Sequence, residues 1–151
     1  MNKQEFNLSE YDETIRTVLN SGGEFRIYPK GTSMLPLIRA GRDSVCIEKA
    51  GDNLKRDDIA FYLRDNGEYI LHRVIKAEKG SYTMCGDNQV RPETGIENRH
   101  IIGYVTKIYR GEKLITPKKA GYRLYLFLWR SFFVRRVFFK LRQIFGKGKR
   151  A

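Results

Sequence analysis

The chain has 151 residues, 41% of them hydrophobic, so it is long enough for one domain with a modest core and a short appendage. Its net charge of +12 is concentrated at the carboxyl end, because eleven of the 29 Lys and Arg residues lie between residues 118 and 151, where no acid occurs. The other 18 nearly balance the 17 acids, so the globular part lacks the basic surface that a nucleic-acid-binding domain needs.

We therefore expect a domain over residues 1–117 and a basic tail over residues 118–151. The first residues are polar and contain neither a signal peptide nor an apolar span long enough to cross a bilayer. A short amphipathic helix is predicted over about residues 9–21, where apolar side chains recur at helical spacing before a Ser-Gly-Gly sequence.

Short β-strands are predicted along most of the remaining domain, because apolar residues alternate or run together between turn residues. The expected spans are residues 24–28, 44–48, 58–64, 68–77, 81–85, 100–109 and 113–115. Asn66-Gly67 is typical of a type I′ hairpin turn, and Gly80 and Gly111 mark two further turns. Many strands with one terminal helix indicate a mainly β fold, with a coiled and partly closed sheet.

Two segments contain residues suited to nucleophilic catalysis. Gly31-Thr32-Ser33-Met34-Leu35-Pro36 follows the first strand, and His72 lies on the long strand at residues 68–77. A serine hydroxyl is a poor nucleophile unless a positioned base removes its proton, and histidine has a pKa near neutrality. Neither residue is specific alone, since most serines beside glycine are turn residues and most strand histidines are structural.

Taken with two later segments, these residues resemble the signal peptidase I family, which is grouped with the self-cleaving LexA-type repressors. The similar segments are Ser33-Met34-Leu35-Pro36, Leu71-His72-Arg73-Val74, Met84-Cys85-Gly86-Asp87-Asn88 and Ile101-Ile102-Gly103-Tyr104-Val105, in family order over residues 25–109. The second segment is similar to the branch of the endoplasmic reticulum, archaea and some Gram-positive bacteria, in which histidine replaces the usual lysine base.

The resemblance implies a role for each candidate residue. Ser33 is the expected nucleophile and His72 the expected general base. An oxyanion hole is expected from the Ser33 backbone with Gly31 and Thr32, and Pro36 is expected in a first helical turn that places the Ser33 amide at a helix start.

The acid that orients the imidazole is left open between Glu93 and Asp87. Asp87 lies in the Gly-Asp-Asn segment, where the family's aspartate often maintains local structure. The acid of the histidine branch usually follows six or seven residues later, and this spacing reaches Glu93, a glutamate where the family has aspartate. Glu93 is slightly favoured.

The tail predicts an amphipathic helix over residues 122–145. Its apolar face comprises Phe133, Val134, Val137, Phe138, Leu141, Ile144 and Phe145, and its polar face Arg135, Arg136, Lys140, Arg142 and Gln143. An aromatic face opposite a cationic one is typical of a helix in an anionic membrane surface, and the arginines argue against a spanning segment. We expect peripheral membrane association of an otherwise cytoplasmic protein. The alternative is a helix packed on its own domain with a solvated basic face.

Cofactor and disulfide chemistry are not expected. Cys46 and Cys85 lie in apolar, strand-like contexts and are predicted to be buried and reduced, although the sequence leaves a disulfide open. No His and Cys cluster has the spacing of metal ligands, and no glycine-rich phosphate loop is found, so we expect no metal and no cofactor. His100 is predicted at the surface or at a strand edge.

The resemblance implies a serine endopeptidase that cleaves signal or leader peptides with small side chains near the cleavage point, either in general secretion or for one exported peptide. Two alternatives remain at this stage. A LexA-type self-cleaving module needs a DNA-binding helix-turn-helix, for which only about 23 residues precede the first strand. An inactive domain could instead bind peptides at a membrane.

Overall fold

The computed structural model describes residues 8–51, 53–115 and 120–146. Its described part is mainly β, with one eight-stranded antiparallel sheet and three α-helices. The strands are β1 (Phe25–Ile27), β2 (Asp43–Glu48), β3 (Ile59–Leu63), β4 (Tyr69–Glu78), β5 (Ser81–Cys85), β6 (Glu93–Glu97), β7 (Ile101–Arg110) and β8 (Lys113–Ile115). The helices are α1 (Asp12–Asn20), α2 (Ala120–Trp129) and α3 (Phe132–Gly146), and 3-10 turns lie at Leu8–Tyr11 and Asn98–His100.

The strands are ordered β1-β2-β7-β3-β4-β5-β6, and β8 pairs with β7 beside this path. Every pairing is antiparallel. The register sets Ala60 opposite His72 between β3 and β4, and Arg73 opposite Cys85 between β4 and β5. The neighbouring strands β4 and β5 thus carry the second segment and the start of the third side by side.

The side chains of successive β3 residues lie in two different hydrophobic cores, because strand side chains alternate between the faces of a sheet. Phe61 packs in a cluster with Ile15 and Leu19 of α1, whereas Ala60 and Tyr62 pack in a second cluster. The first cluster also contains residues that follow Ser33, namely Met34, Leu37 and Ile38. Burial of these three side chains fixes the position of the segment that carries the candidate nucleophile.

The mainly β class and the amino-terminal helix are confirmed, and the predicted strands lie within one or two residues of the observed ones. The hairpin at Asn66-Gly67 is also confirmed, with the Gly67 amide donating to the Arg64 carbonyl at 2.9 Å. Its predicted type I′ turn is wrong, because Gly67 has a positive φ of +83° and Asn66 does not. Strand β6 was missed. It contains Gly95, follows Pro92 and buries only Ile96 among its five residues, so it has no alternating apolar pattern.

The tail forms two helices instead of the single predicted one. Helix α2 ends at Trp129 and α3 begins at Phe132, because Trp129 and Arg135 both turn inward and are buried against the domain. The prediction of Arg135 on a solvated face is therefore wrong. The predicted boundary between domain and tail falls within residues 116–119, outside the described residues, as do residues 147–151.

Candidate active site

The segment around Ser33 folds as consecutive turns. Gly31 has φ of +80°, a left-handed conformation that favours glycine, and the Leu35–Pro36 peptide bond is cis. The Leu35 amide donates to the Thr32 carbonyl at 3.2 Å, and no helix begins at this point of the described chain. The predicted helix start at Ser33 is therefore wrong, because Met34 and its neighbours turn into the first core instead of extending along a helix axis.

The Ser33 carbonyl is held by the 86–89 loop, which follows β5 and contains the Gly-Asp-Asn sequence. The Asn88 amide donates to the Ser33 carbonyl at 2.7 Å. Gly86 allows this approach, since a Cβ atom at that position would lie 2.6 Å from the same carbonyl oxygen. The Ser33 amide donates no hydrogen bond among the residues that the structure describes, so it is free to donate to an oxyanion.

His72 lies on β4, with only 5% of its surface exposed. Its Nδ1 atom is 3.3 Å from the hydroxyl oxygen of Tyr62, a buried residue of β3. Burial lowers the pKa of His72 to about 4, against the opposing charge of Glu93. The imidazole is therefore neutral at neutral pH, which leaves a ring nitrogen able to accept a proton.

Glu93, the first residue of β6, is hydrogen-bonded to the Tyr62 side of the Tyr62–His72 pair. The Tyr62 hydroxyl donates to one Glu93 oxygen at 2.8 Å, and Arg64 donates to both Glu93 oxygens at 2.8 and 2.7 Å. Partial burial raises the pKa of Glu93, but the hydrogen bonds from Arg64 and Tyr62 outweigh it, so the pKa lies below its ordinary value. An ionised carboxylate is thus connected to His72 through one phenol.

Asp87 belongs to a different network. Its side chain accepts two hydrogen bonds from Arg73, at 2.8 and 2.7 Å, and one from the Tyr125 hydroxyl at 2.7 Å. The Arg73 and Asp87 side chains are 2% and 0% exposed, so the pair is a buried ion pair. The structure thus joins Glu93, and not Asp87, to His72 by hydrogen bonds.

Ser33 and His72 share no hydrogen bond in the described structure. Their segments are connected through the backbone, because the 86–89 loop that holds the Ser33 carbonyl follows Cys85, and Cys85 pairs with Arg73, the neighbour of His72. Catalytic hydrogen bonds are often long or poorly aligned in a free enzyme and tighten when the substrate binds.

Helices α2 and α3 pack directly on the 86–89 loop, an arrangement that the sequence did not reveal. The Trp129 indole donates to the Asp87 carbonyl at 2.8 Å. Buried Arg135 donates to the carbonyls of Gly86, Gln89 and Trp129 at 3.0, 3.2 and 2.7 Å. The carboxyl-terminal helices thus support the loop that positions the Ser33 carbonyl.

The outward side of α2 and α3 exposes large apolar residues. These are Leu124, Phe127, Leu128, Phe133, Val137, Phe138, Leu141 and Ile144. Phe127 and Phe133 are the most exposed, at 72% and 75%. Basic residues are exposed alongside them, namely Arg123, Arg136, Lys140 and Arg142. No helix in the described ranges is both long and apolar enough to cross a membrane.

The remaining candidates have structural roles. His100 is buried, accepts a hydrogen bond from the Glu97 amide at 2.9 Å and contacts Asp65 at 3.1 Å, so its predicted surface position is wrong. Cys46 and Cys85 are buried and free, as predicted. Burial raises the pKa of both thiols, which keeps them protonated.

No group of three potential metal ligands occurs within the described ranges. A cavity of about 250 Å³ lies between α1 and the β2–β3 connection, lined by Arg16, Lys49 and Tyr82 among others, and contains none of the candidate catalytic residues. No protein-family model matches the chain, and no curated protein is significantly similar to it.

Proposed function

We propose that the protein is a serine endopeptidase of the signal peptidase I type, with Ser33 as nucleophile and His72 as general base. One observation carries most of the weight: the loop holding the Ser33 carbonyl follows the strand next to β4, where a neutral, buried His72 is linked to an ionised carboxylate. In the proposed reaction the Ser33 hydroxyl attacks a peptide carbonyl as its proton passes to His72.

The later steps follow from the same groups. His72 returns the proton to the leaving amine, the acyl group remains on Ser33, and a water molecule then releases it with His72 again as base. The Ser33 amide stabilises the oxyanion, with the exposed backbone of Gly31 and Thr32 close by in sequence. In this proposal Glu93 is the orienting acid, since Asp87 is engaged by Arg73 and Tyr125.

The proposed substrate is an extended leader peptide. Among the described residues strand β1 pairs only with β2, and it ends shortly before Ser33, so a peptide would add as a further strand along its other edge. A coiled, partly closed sheet of the LexA and signal peptidase type belongs to this proposal as well. Such a fold would place the edge of β1 that faces away from β2 beside Ser33 and His72.

The test of this function uses a synthetic leader peptide with an apolar stretch and an Ala-x-Ala cleavage site, in anionic vesicles. We expect the wild type to cleave it, and Ser33→Ala and His72→Ala to lose at least about 100-fold in rate, as detected by mass spectrometry. Ser21→Ala, at the exposed end of α1, is the matched control. Equal turnover by all of these variants would contradict the proposal.

Two other outcomes would favour the alternatives. Cleavage of the protein's own chain without cleavage of added peptide would indicate the LexA-type self-cleaving module. Peptide binding with no cleavage by the wild type would indicate an inactive peptide-binding domain.

We further propose that the exposed face of α2 and α3 rests on an anionic membrane surface. Its support is the pairing of exposed aromatic and aliphatic side chains with Arg and Lys residues in a tail that contains no acid. Such a position would place the catalytic pair where leader peptides emerge from the bilayer.

Vesicle co-sedimentation tests this surface. Because removal of the whole tail would also remove Trp129 and Arg135 from the 86–89 loop, point variants are preferable. We expect Phe127→Ser with Phe133→Ser to weaken binding to anionic vesicles at least about tenfold, since each buried aromatic contributes on the order of 2 kcal/mol. Leu114→Ser, on an exposed position of β8, is the control. Unchanged sedimentation of the double variant would contradict the proposed surface.

A further inference from the structure

The hydroxyl of Tyr62 stands between the candidate base and the candidate acid. It is 3.3 Å from His72 Nδ1 and 2.8 Å from a Glu93 oxygen, while no hydrogen bond joins His72 to Glu93 within the described chain. Tyr62 is fully buried in the second core, so its ring has little freedom to move away. Within the described chain, hydrogen bonds therefore connect the acid to the imidazole only through this phenol.

The position of the phenol proton follows from the two acceptors. A tyrosine hydroxyl has one proton to donate and lone pairs with which to accept. Glu93 is ionised because Arg64 donates to both of its oxygens, and hydrogen bonds to an ionised acceptor are shorter and stronger than neutral ones. The shorter of the two contacts of Tyr62 is the one to Glu93, so the phenol proton lies there.

The contact between Tyr62 and His72 then determines which ring nitrogen of His72 carries the proton. With its proton directed at Glu93, the Tyr62 oxygen presents a lone pair to His72 Nδ1. If Nδ1 were unprotonated, two lone pairs would face each other in a buried site, at a cost comparable to a lost hydrogen bond. Nδ1 must therefore carry the proton of the neutral ring, and Nε2 is left as the proton acceptor.

We propose that Tyr62 is a positioning residue that holds His72 in the Nδ1–H tautomer, which leaves Nε2 as the nitrogen that accepts a proton. For its catalytic consequence this inference rests on the proposed function, but the tautomer is a property of the resting protein.

The interposed phenol has a second consequence. A carboxylate in direct contact with an imidazole stabilises the imidazolium with a full negative charge, whereas here that charge acts through a neutral hydroxyl. His72 is thus fixed in orientation without gaining much basicity. Tyr62 therefore allows Glu93 to fix the orientation of the imidazole without strongly stabilising the imidazolium, whereas a directly bonded acid does both.

The test is nitrogen NMR of the full-length protein labelled with ¹⁵N-histidine. The chain contains two histidines, so His100→Gln assigns the signals. In the wild type we expect His72 to show a protonated Nδ1 and an unprotonated Nε2. In Tyr62→Phe this preference should be lost, with both nitrogen shifts moving toward values averaged over the two tautomers. Tyr82→Phe, which removes another buried hydroxyl of the same core, should leave the His72 signals unchanged.

Activity supplies the second readout. We expect Tyr62→Phe to lower kcat about tenfold or more with little change in KM, because the substrate site is intact and only the base is misoriented. An Nε2–H tautomer in the wild type, a His72 tautomer unaffected by Tyr62→Phe, or an unchanged kcat in a cleaving enzyme would overturn the proposal. If the tautomer shifts as expected while the wild type cleaves no peptide, the proposed function fails and the role of Tyr62 stands.

Discussion

Replacing His72 with glutamine should change how the stability of the protein depends on pH. Burial lowers the pKa of folded His72 to about 4, with Glu93 and Asp87 raising it and Arg64 lowering it further, while an unfolded histidine titrates near 6.5. Between these values the unfolded chain binds a proton that the folded protein does not. The free energy of unfolding therefore falls as the pH falls from about 6.5 toward about 4.

The size of this effect follows from the two pKa values. The full shift corresponds to on the order of 3 kcal/mol, and the part lost between pH 7 and pH 5 is about 2 kcal/mol. Glutamine cannot ionise, so His72→Gln lacks this contribution while keeping a polar side chain. The difference in unfolding free energy between the two proteins should therefore shift by about 2 kcal/mol in favour of the variant between the two pH values.

Urea unfolding of both proteins at pH 7 and pH 5 measures this difference, and a proton NMR titration of His72 gives its pKa directly. The same pKa should appear as an acid limb of kcat/KM well below 6.5 if His72 is the base. Parallel pH dependence of the two unfolding free energies, or a His72 midpoint at 6.5 or above, would refute this reasoning.

Three substitutions test the support of the candidate nucleophile. Asp87→Asn leaves Arg73 buried without a carboxylate and should lower the free energy of unfolding by about 3–5 kcal/mol in urea titrations. Gly86→Ala directs a Cβ atom at the Ser33 carbonyl, and we expect about 1–3 kcal/mol of destabilisation together with slower peptide cleavage. Arg135→Met removes the guanidinium hydrogen bonds to the Gly86 and Gln89 carbonyls of the 86–89 loop, so it should cost about 1–3 kcal/mol and also slow cleavage.

Matched controls exist for two of these variants. Gly121→Ala meets no atom within 4 Å, and Arg136→Met alters the exposed neighbour of Arg135. Equal effects of Gly86→Ala and Gly121→Ala would show that the approach of the loop to Ser33 is unimportant. Equal effects of Arg135→Met and Arg136→Met would show that the contacts of Arg135 with the loop are unimportant. Stability of Asp87→Asn within about 1 kcal/mol of the wild type would contradict a structural ion pair.

Features encoded in local sequence were the ones that could be predicted. The hairpin at Asn66-Gly67 depends on residues that tolerate the turn conformation, and helix α1 on a short apolar period, so a few neighbouring residues determine each. Strand β6 has no such pattern, since Gly95 and exposed polar residues surround the buried Ile96. It is a strand because β5 offers it an edge, which is information held elsewhere in the chain.

The candidate site divides in the same way. Ser33 and His72 were proposed from their neighbours in sequence, but spacing did not decide between Glu93 and Asp87. The different roles of the two acids depend on contacts from distant segments, since the Tyr125 hydroxyl donates to Asp87 and the Tyr62 hydroxyl donates to Glu93. Tyr62 itself lies in an apolar strand sequence, where a tyrosine is expected to be a core residue. No local pattern therefore indicated its contacts with His72 and Glu93.

The break between α2 and α3 was missed for a related reason. Helical spacing places Arg135 on a polar face, and an arginine without an acidic partner is expected in solvent. The carbonyl groups of the 86–89 loop offer it hydrogen bonds in the interior, and these contacts together with Trp129 draw the chain inward at that point.

The central claim is that Ser33 forms a covalent bond with the carbonyl carbon of a peptide. The most direct measurement is acid quenching of the protein during incubation with a leader peptide, followed by mass mapping of the chain. We expect the amino-terminal part of the substrate as an ester on Ser33, and no such adduct in Ser33→Ala or His72→Ala. An adduct on another residue, or peptide cleavage by Ser33→Ala at the wild-type rate, would contradict the claim.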